Sequence, residues 1–310
     1  MPRSILTLQN LSNDELIHIV ENSKKLKGEI KKGKVIDKFK GKVVGTLFEK
    51  PSTRTRAGFE SAALRLGAGT VYLPSNELQL KRGEPVKDVA RILGSYLNTI
   101  VARVFSQDTV VELAKYSGVP VVNGLSDFAH PTQAICDLLT ILEVKGHLKD
   151  LTLAYIGDGN NVAHSLFEAC AMVGMNMKAA CPKGFYPNEN VMKFANEAAK
   201  KTGARLAVVE DPKDAAEGAD ILYTDVWVSM GEESKEEEKK RIFKNYQINA
   251  ELLRSANKDA HVMHCLPAHR GWEITDDVLE GPRSIAWQQG ENKMYSAVGV
   301  LDFVLSAALV

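Results

Sequence analysis

The sequence predicts an α/β protein with two doubly wound parallel-sheet domains, joined by helices and with an active-site cleft between them. Short β-branched runs alternate with amphipathic stretches through the first half of the chain, and the same alternation restarts near residue 151. No Pro/Gly-rich linker separates the two halves, so a stiff helical connection is expected. Two hinged domains follow from these observations.

The elements of the first half begin with a helix, because Ser12 and Glu15 form a capping box ahead of apolar positions at helical spacing. Four strand-like runs follow, and each precedes a helical pattern: "KVVGTLF", "GTVYL", "TIVARVF" and "VPVVN". Helices are expected from about Thr53 and from about His130. This order predicts a parallel sheet covered by helices.

The second half supplies six more strand candidates: "LTLAYIGDG", "MKAAC", "RLAVV", "DILYTDV", "HVMHCL" and "SIAWQ". The charged run "EESKEEEKKR" is interpreted as the solvated face of a helix. We predict a first domain over residues 1–131 and a second over 132–292. The apolar final helix, about 293–310, is expected to pack back on the first domain.

Composition excludes several classes of protein. The 310 residues are 45% hydrophobic, which is enough for two cores, and 39 basic residues balance 39 acidic ones. Neither a nucleic-acid-binding surface nor a polybasic membrane patch is therefore expected. The start of the chain lacks a signal-peptide pattern, and no run reaches the roughly 20 apolar residues of a membrane span. A cytoplasmic protein is predicted, and its four cysteines show no C-x-x-C spacing.

The stretch "PSTRTR", residues 51–56, follows the first strand and opens a helix. Ligands of parallel α/β sheets bind at the carboxyl ends of strands, where helix N-termini attract anions. Hydroxyl groups of Ser52, Thr53 and Thr55 and an arginine fork suit phosphate oxygens. Arg54 and Arg56 cannot face the same way, and we assign Arg54 to the anion. By itself the motif also fits a capped helix with surface arginines.

Two further patterns suggest other chemistry and are weak. In "IGDGNNVAHS", Gly157 and Gly159 fit a dinucleotide fingerprint, but Val162 occupies the third glycine position. In "HVMHC", His261 and His264 would point to opposite faces of a strand, which does not suit a tetrahedral zinc site. No metal and no organic cofactor is expected.

Four later segments, taken with residues 51–56, carry a resemblance: "ELQLKRGE" (77–84), "HPTQ" (130–133), "DVWVSMG" (225–231) and "HCLPAHRG" (264–271). With these five segments, the chain resembles the aspartate/ornithine carbamoyltransferase family. The segments occur in the family's order and extend from near Phe48 to the final helix. The resemblance implies an enzyme that transfers the carbamoyl group of carbamoyl phosphate to an amine.

The resemblance implies donors for carbamoyl phosphate in both halves of the chain. They are Ser52, Thr53, Arg54, Thr55, Gln79, Arg103, His130, Gln133, Cys265, Leu266 and Lys293. The catalytic set would be Arg54, Arg103, His130, Asp225 and Cys265. An arginine inside the apolar run "TIVARVF" is costly unless it is paired, which marks Arg103 independently. Gln79 would reach a neighbouring subunit's site, so a homotrimer, or an assembly of trimers, is expected.

The acceptor amine is expected to be L-ornithine, held by Asn161, Asp225, Ser229 and Met230, and the product would be L-citrulline. A carboxylate at Asp225 suits an ammonium group, and the following turn suits an α-carboxylate. Aspartate-specific members of the family have proline where this chain has Cys265. N-acylated ornithine and putrescine are alternative acceptors. From other classes, a non-catalytic anion-binding regulator and an NAD-dependent enzyme remain possible readings.

Two residues depart from the family pattern. Gly58 stands where a serine is usual, and Lys293 in "ENKMY" stands where an arginine is common. Lysine keeps the charge of arginine but loses its bidentate fork. Weaker binding of the donor, or a slightly different specificity, is the expected consequence at Lys293.

Overall fold

The computed structural model describes residues 2–78, 83–228, 231 and 233–307. The chain divides into two compact units. The first contains Met1–Leu139 and Glu291–Val310, and the second contains Thr140–Gly290. Each unit has its own parallel sheet and its own core, as the alternating sequence pattern predicts.

The sheet of the first unit has four parallel strands in the spatial order β2-β1-β3-β4. These strands are β1 (Val43–Phe48), β2 (Gly69–Pro74), β3 (Thr99–Arg103) and β4 (Val121–Leu125). After β1 the chain turns to one side of the sheet, and after β3 it turns to the other. The carboxyl ends of β1 and β3 therefore form the topological switch point, where α/β sheets bind ligands.

The helices of the first unit cover this sheet. They are α1 (Asn13–Lys31), α2 (Thr53–Arg65), α3 (Val86–Tyr96) and α4 (Gln107–Tyr116), with 3₁₀ turns at Leu8–Asn10 and Ser75–Glu77. The predicted capping box at Ser12 and Glu15 is confirmed, since each residue bonds the other's backbone N–H. The predicted start of α2 at Thr53 is also confirmed.

Two long helices cross the limits of the units. Helix α5 (Pro131–Lys145) begins in the first unit, with Pro131 at its first position, and α12 (Ala286–Ala307) ends in that unit. The later part of α12 lies against α1, where Lys27 donates to the Asn292 side chain at 2.6 Å. Asn22 likewise donates to Asp302 at 3.0 Å.

The sheet of the second unit has five parallel strands in the order β7-β6-β5-β8-β9. These strands are β5 (Thr152–Ile156), β6 (Asn176–Ala180), β7 (Leu206–Val209), β8 (Ile221–Thr224) and β9 (His261–His264). Its switch point lies between β5 and β8. The register pairs Ile156 with Thr224 and Thr224 with His264, so these three strands end at one level.

The helices of the second unit are α6 (Asn161–Val173), α7 (Glu189–Thr202), α8 (Pro212–Ala216), α9 (Glu236–Phe243), α10 (Ala250–Ser255) and α11 (Asp276–Leu279). A 3₁₀ turn at Glu233–Lys235 precedes α9. Aromatic packing fills much of the core here, since Phe243 stacks on Trp227 and meets Phe185 edge-on. None of the described helices combines the length and apolar composition that a membrane crossing requires.

One sequence prediction about this half is wrong, and a second is incomplete. The run "SIAWQ" is not a strand, because α12 already begins at Ala286 and Ser284 makes only an isolated bridge to Val262. An apolar run this short has no period that separates strand from buried helix. The charged run "EESKEEEKKR" is not wholly solvated, because Lys239 on α9 is only 3% exposed.

Two helical glycines give a matched test of the packing in the first unit. A Cβ at Gly94 on α3 would lie 1.7 Å from the Ser117 carbonyl oxygen, whereas a Cβ at Gly28 on α1 would meet nothing within 4 Å. We expect Gly94→Ala to destabilise the protein by about 1–3 kcal/mol or more, because backbone must move. Gly28→Ala should stabilise it by about 0.5–1 kcal/mol. Urea unfolding curves measure both, and equal effects would contradict this packing.

Candidate active site

The N-terminus of α2 forms the predicted anion site of the first unit. Ser52 is its N-cap, with extended backbone, and the Ser52 side chain accepts from the Thr55 backbone N–H at 3.3 Å. Arg54 is half-buried on the first turn. Arg56 instead bonds Glu60 at 3.0 Å and lies 3.3 Å over the Tyr72 ring. Glu60 and Tyr72 therefore hold Arg56, and Arg54 is the arginine of the motif that we assign to an anion.

The buried hydroxyl of Thr55 forms no hydrogen bond with the residues that the structure describes. The residue is 4% exposed, and its Oγ1 has no hydrogen-bond partner among the residues described. Its Cγ2 lies 3.4 Å from the position that a Cβ on Gly124 would take, so Thr55 sits over the end of β4. Buried hydroxyls are normally paired, and an unpaired one at a helix N-terminus suits a ligand oxygen.

Arg103 and His130 lie together at the same edge of this sheet. Arg103 ends β3 opposite Phe48 of β1, and it is 8% exposed. His130, 4% exposed, directly precedes α5. Burial holds the pKa of His130 well below its usual value, and the nearby charges of Lys293 and Arg103 lower it further. His130 is therefore neutral at physiological pH and can donate one N–H.

Lys293 joins this group from α12. Its ammonium donates to the Gln133 side-chain oxygen, and the Gln133 amide donates in turn to Asp137 at 2.7 Å. The backbone of Lys293 also lies 3.6 Å from the position of a Cβ on Gly58 of α2. Lys293 thus lies beside α2 and the start of α5. Lysine provides a single point charge there, whereas arginine would provide a bidentate fork.

Asp225 is the centre of the polar group in the second unit. It directly follows β8 and is 8% exposed. Its Oδ1 accepts from the Cys265 thiol at 2.9 Å and from the Val226 N–H at 2.8 Å. Its Oδ2 accepts from the Asn160 side-chain amide at 2.9 Å. A carboxylate held by three donors is fixed in place and still has lone pairs for an ammonium group.

Asn160 links two parts of the second unit. Its Oδ1 caps α6 by accepting from the N–H groups of Val162 and Ala163 at 2.9 and 3.2 Å. Its Nδ2 donates to Asp225. One side chain therefore links the start of α6 to the carboxylate, with the predicted substrate ligand Asn161 as the next residue.

The segment after β9 has an unusual backbone. Leu266 adopts φ +58°, a left-handed conformation that costs an L-residue roughly 1–2 kcal/mol. Its N–H donates to His264 Nδ1 at 2.8 Å, and His264 Nε2 bonds the buried Glu273 at 3.0 Å. Because Nδ1 accepts, the neutral His264 ring carries its proton on Nε2 and donates it to Glu273. This arrangement directs Cys265 towards Asp225.

The structure brings together most of the predicted residues within their own units. Ser52, Thr53, Arg54, Thr55, Arg103, His130, Gln133 and Lys293 are gathered in the first unit, and Asn161, Asp225, Cys265 and Leu266 in the second. Gln79, Ser229 and Met230 lie outside the described residues. His264 and Glu273 were missed as supporting residues, because no local pattern relates two side chains on opposite sides of a turn.

Metal ligation finds little support in the geometry. Both ring nitrogens of His264 are engaged, one by Leu266 and one by Glu273. Across the described ranges, no three His, Cys, Asp or Glu side chains are grouped as metal ligands would be.

Both halves of the chain match family models of carbamoyltransferases. Residues 3–143 match the carbamoyl-P binding domain of aspartate/ornithine carbamoyltransferase, and residues 149–304 match the Asp/Orn binding domain. The chain belongs to the aspartate/ornithine carbamoyltransferase family.

Individual relatives are similar to the chain from end to end. An ornithine carbamoyltransferase of Hyperthermus butylicus is 47% identical over 306 residues, 98% of each chain. An anabolic ornithine carbamoyltransferase of Pyrococcus furiosus is 46% identical over 98% of this chain and 96% of its own length. A solved ornithine carbamoyltransferase structure from Pyrococcus furiosus superposes with TM-score 0.95 at 45% identity, covering 98% and 97% of the two chains.

The buried state of His130 predicts a pH dependence of stability. Because the folded pKa of His130 lies well below the unfolded value of about 6.5, the unfolded chain binds more protons below that pH. Stability from this source is complete above about pH 6.5 and is lost as the pH falls, by at most about 1.4 kcal/mol per pH unit. Urea unfolding between pH 8 and 5.5 should show a shallower decline for His130→Gln than for the unaltered protein.

The exposed His18 provides the control, since His18→Gln also removes one histidine from the same unit. An identical pH dependence for His130→Gln and His18→Gln would contradict the neutral, buried state of His130.

Proposed function

We propose that the chain transfers the carbamoyl group of carbamoyl phosphate to the side-chain amine of L-ornithine, giving L-citrulline and phosphate. The observation that carries this proposal is the Asp225 carboxylate with the Cys265 thiol bonded to it at 2.9 Å. This pair lies in the half that matches the Asp/Orn binding domain model. The names of the full-length relatives support the same acceptor.

The first unit is proposed to hold carbamoyl phosphate. The phosphate would take the hydroxyl and N–H donors of residues 52–55 and the Arg54 fork, and the unpaired Thr55 Oγ1 supports this assignment. Gln133, Lys293 and Arg103 would add donors and positive charge. A small dianion needs such a concentration of donors because its own charge is costly to bury.

The carbonyl of the donor is proposed to be polarised by His130 and Arg103. A neutral imidazole N–H and a guanidinium are both donors, and neither has to lose a proton first. Gln133 would add a further donor to the carbamoyl group. The Leu266 N–H already donates to His264, so the Leu266 carbonyl would instead accept from the carbamoyl amide. Fixed donors of this kind each contribute about 3 kcal/mol to stabilising a developing oxyanion.

The second unit is proposed to hold ornithine. Asn161, Ser229 and Met230 would bind the α-amino acid end, and Asp225 and Cys265 would orient the side-chain amine. An alkyl ammonium with a pKa near 10.4 must lose a proton before it can attack. The neutral amine then adds to the carbamoyl carbon, and the C–O bond to phosphate breaks. The first proton leaves the ammonium for solvent before the attack. The second is released by the nitrogen as the C–N bond forms, and departing phosphate or Asp225 takes it.

Two readings from other classes have less support. In an NAD-binding protein the N–H groups at the start of α6 would bind pyrophosphate, but Asn160 Oδ1 already accepts from Val162 and Ala163. A non-catalytic anion binder would not need the Asp225–Cys265 pair. N-acylated ornithine and putrescine are alternative acceptors within the family. They differ from ornithine at the α-amino acid end, which Ser229 and Met230 are proposed to bind, and an assay with each amine distinguishes them.

The proposed activity has a direct assay. Purified protein should form citrulline from ornithine and carbamoyl phosphate without added metal, and should form little carbamoylated product from acetylornithine, putrescine or aspartate. Turnover with one of those three amines and none with ornithine would reject the proposed acceptor. Binding of NAD in a calorimeter, with no turnover of any amine, would favour the dehydrogenase reading.

Arg54 gives a matched test of the phosphate site. Arg54→Ala should lower kcat/KM about 10²–10³-fold, the effect of removing one essential donor. Arg56→Ala removes the neighbouring arginine, which is engaged with Glu60 and Tyr72, and should cost less than about tenfold. A larger loss with Arg56→Ala than with Arg54→Ala would reverse the assignment of the two residues.

A homotrimer, or an assembly of trimers, is proposed as the active form. Its first support is the family resemblance at Gln79. A second is the exposure of apolar side chains on the first unit, where Ile92 and Tyr96 lie one turn apart on α3 and are 53% and 71% exposed. Neighbouring exposed apolar side chains form a patch, and apolar patches are more typical of interaction surfaces than single exposed residues are. The same proposal includes a cytoplasmic location and a role in the synthesis or the breakdown of arginine.

Substitutions on α3 test the assembly. Sedimentation should show a trimer or a multiple of it, and the double variant Ile92→Glu, Tyr96→Glu should shift the protein to smaller species. Val35→Glu, at the most exposed large apolar residue outside α3, should leave the mass unchanged. A monomer with full activity would contradict a site completed by a neighbouring subunit.

A further inference from the structure

Lys239 is a buried cation on a helix whose one other lysine, Lys240, is nearer to solvent. It is 3% exposed, and its Nζ lies 2.7 Å from Asp158 Oδ2. Its neighbour Lys240 bonds Glu236 and Glu237 at the surface of α9. Exposed pairs of that kind contribute little, whereas a buried ion pair is strongly disfavoured when one partner is lost. The two adjacent lysines therefore have different roles.

The turn at residues 158–160, which Lys239 contacts through Asp158, is also packed against the segment around Phe185. The Gly159 N–H donates to the Phe185 carbonyl at 2.9 Å, and a Cβ on Gly159 would lie 2.4 Å from the Pro187 nitrogen. Lys239 Nζ itself lies 5.7 Å from the centre of the Phe185 ring. Residues 158–160 are thus held between α9 and the segment around Phe185.

The same turn positions the amine-binding carboxylate. The Asn160 N–H donates to the Asp158 carbonyl at 2.7 Å, and the Asn160 side chain donates to Asp225 at 2.9 Å. Asp225 in turn accepts from Cys265. A displacement of Asp158 would therefore move Asn160, and with it a donor that fixes Asp225.

The charge of Asp158 also reaches the surrounding groups. Burial raises the pKa of Cys181 to about 12, and the Asp158 carboxylate adds to that shift. Burial likewise raises the pKa of Tyr155, with further contributions from Asp225 and Asp158. Two carboxylates thus act on Tyr155 from within this region. Without the ammonium of Lys239, Asp158 would be a buried negative charge that lacks this cation, and it would tend to move towards water.

We propose that Lys239 is a positioning residue for the acceptor amine: its ion pair with Asp158 holds the 158–160 turn, and through Asn160 it fixes the Asp225 carboxylate. The inference rests on the proposed function, because it concerns the amine that Asp225 binds there.

Steady-state kinetics of Lys239→Met provide the first test. We expect the KM for ornithine to rise at least tenfold and the KM for carbamoyl phosphate to change less than twofold, because only the amine side is affected. Lys240→Met is the matched control, with the same substitution one position along α9, and both its KM values should stay within twofold of the unaltered protein.

Removing the second charge provides a rescue. The double variant Asp158→Asn, Lys239→Met loses the Asp158 charge together with the ammonium that balances it, so it should recover at least threefold of the lost ornithine affinity. The proposal would be overturned by no increase in the ornithine KM or by no recovery in the double variant. Equal increases in both KM values would also overturn it, because they would indicate a general loosening of the fold that does not distinguish the substrates.

Hydrogen exchange without substrate separates this inference from the proposed activity. In Lys239→Met, the amides of Val162, Ala163 and Val226, which bond Asn160 and Asp225, should exchange at least tenfold faster, and in Lys240→Met they should not. Failure of the unaltered protein to make citrulline would reject the proposed function alone. Unchanged exchange in Lys239→Met would reject the positioning role, whether or not citrulline is made.

Discussion

Parallel pairing of the strands is the constraint from which the chemistry of both units derives. In a parallel sheet the carboxyl ends of all strands lie along one edge, so residues far apart in sequence become neighbours. Arg103 lies beside the end of β1 because β3 pairs with β1 in register. Asp225 and Cys265, forty positions apart, meet within a hydrogen bond because β8 and β9 end together.

The two units use this edge for opposite charges. At the switch point of the first sheet, a helix N-terminus, Arg103 and a neutral His130 present donors, which suits an anion. At the switch point of the second sheet, the donors are directed at Asp225 instead, so the group that faces a ligand is a carboxylate. The same fold element thus presents hydrogen-bond donors in one unit and a carboxylate in the other.

Buried polar and charged groups are costly unless they are paired, and several such groups near these edges have partners that also restrict their positions. Lys293 bonds Gln133, which bonds Asp137, and His264 is held between Leu266 and Glu273. Lys239 and Asp158 form such a pair behind Asn160. These contacts hold the reactive side chains in one orientation, which catalysis requires more than additional stability.

The sequence alone determined the alternation of strands and helices, the capped starts of α1 and α2, and the residue types at each strand end, because all of these follow from local periodicity and capping chemistry. It could not determine that Asn160 bonds Asp225, that Lys239 is buried, or that α12 begins at Ala286 instead of after a strand. Those outcomes depend on which side chains meet across the sheet. Local sequence patterns do not predict contacts between residues as far apart as Asn160 and Asp225, 65 positions, or Asp158 and Lys239, 81 positions. Only tertiary packing decides which charge is buried and which partner it finds.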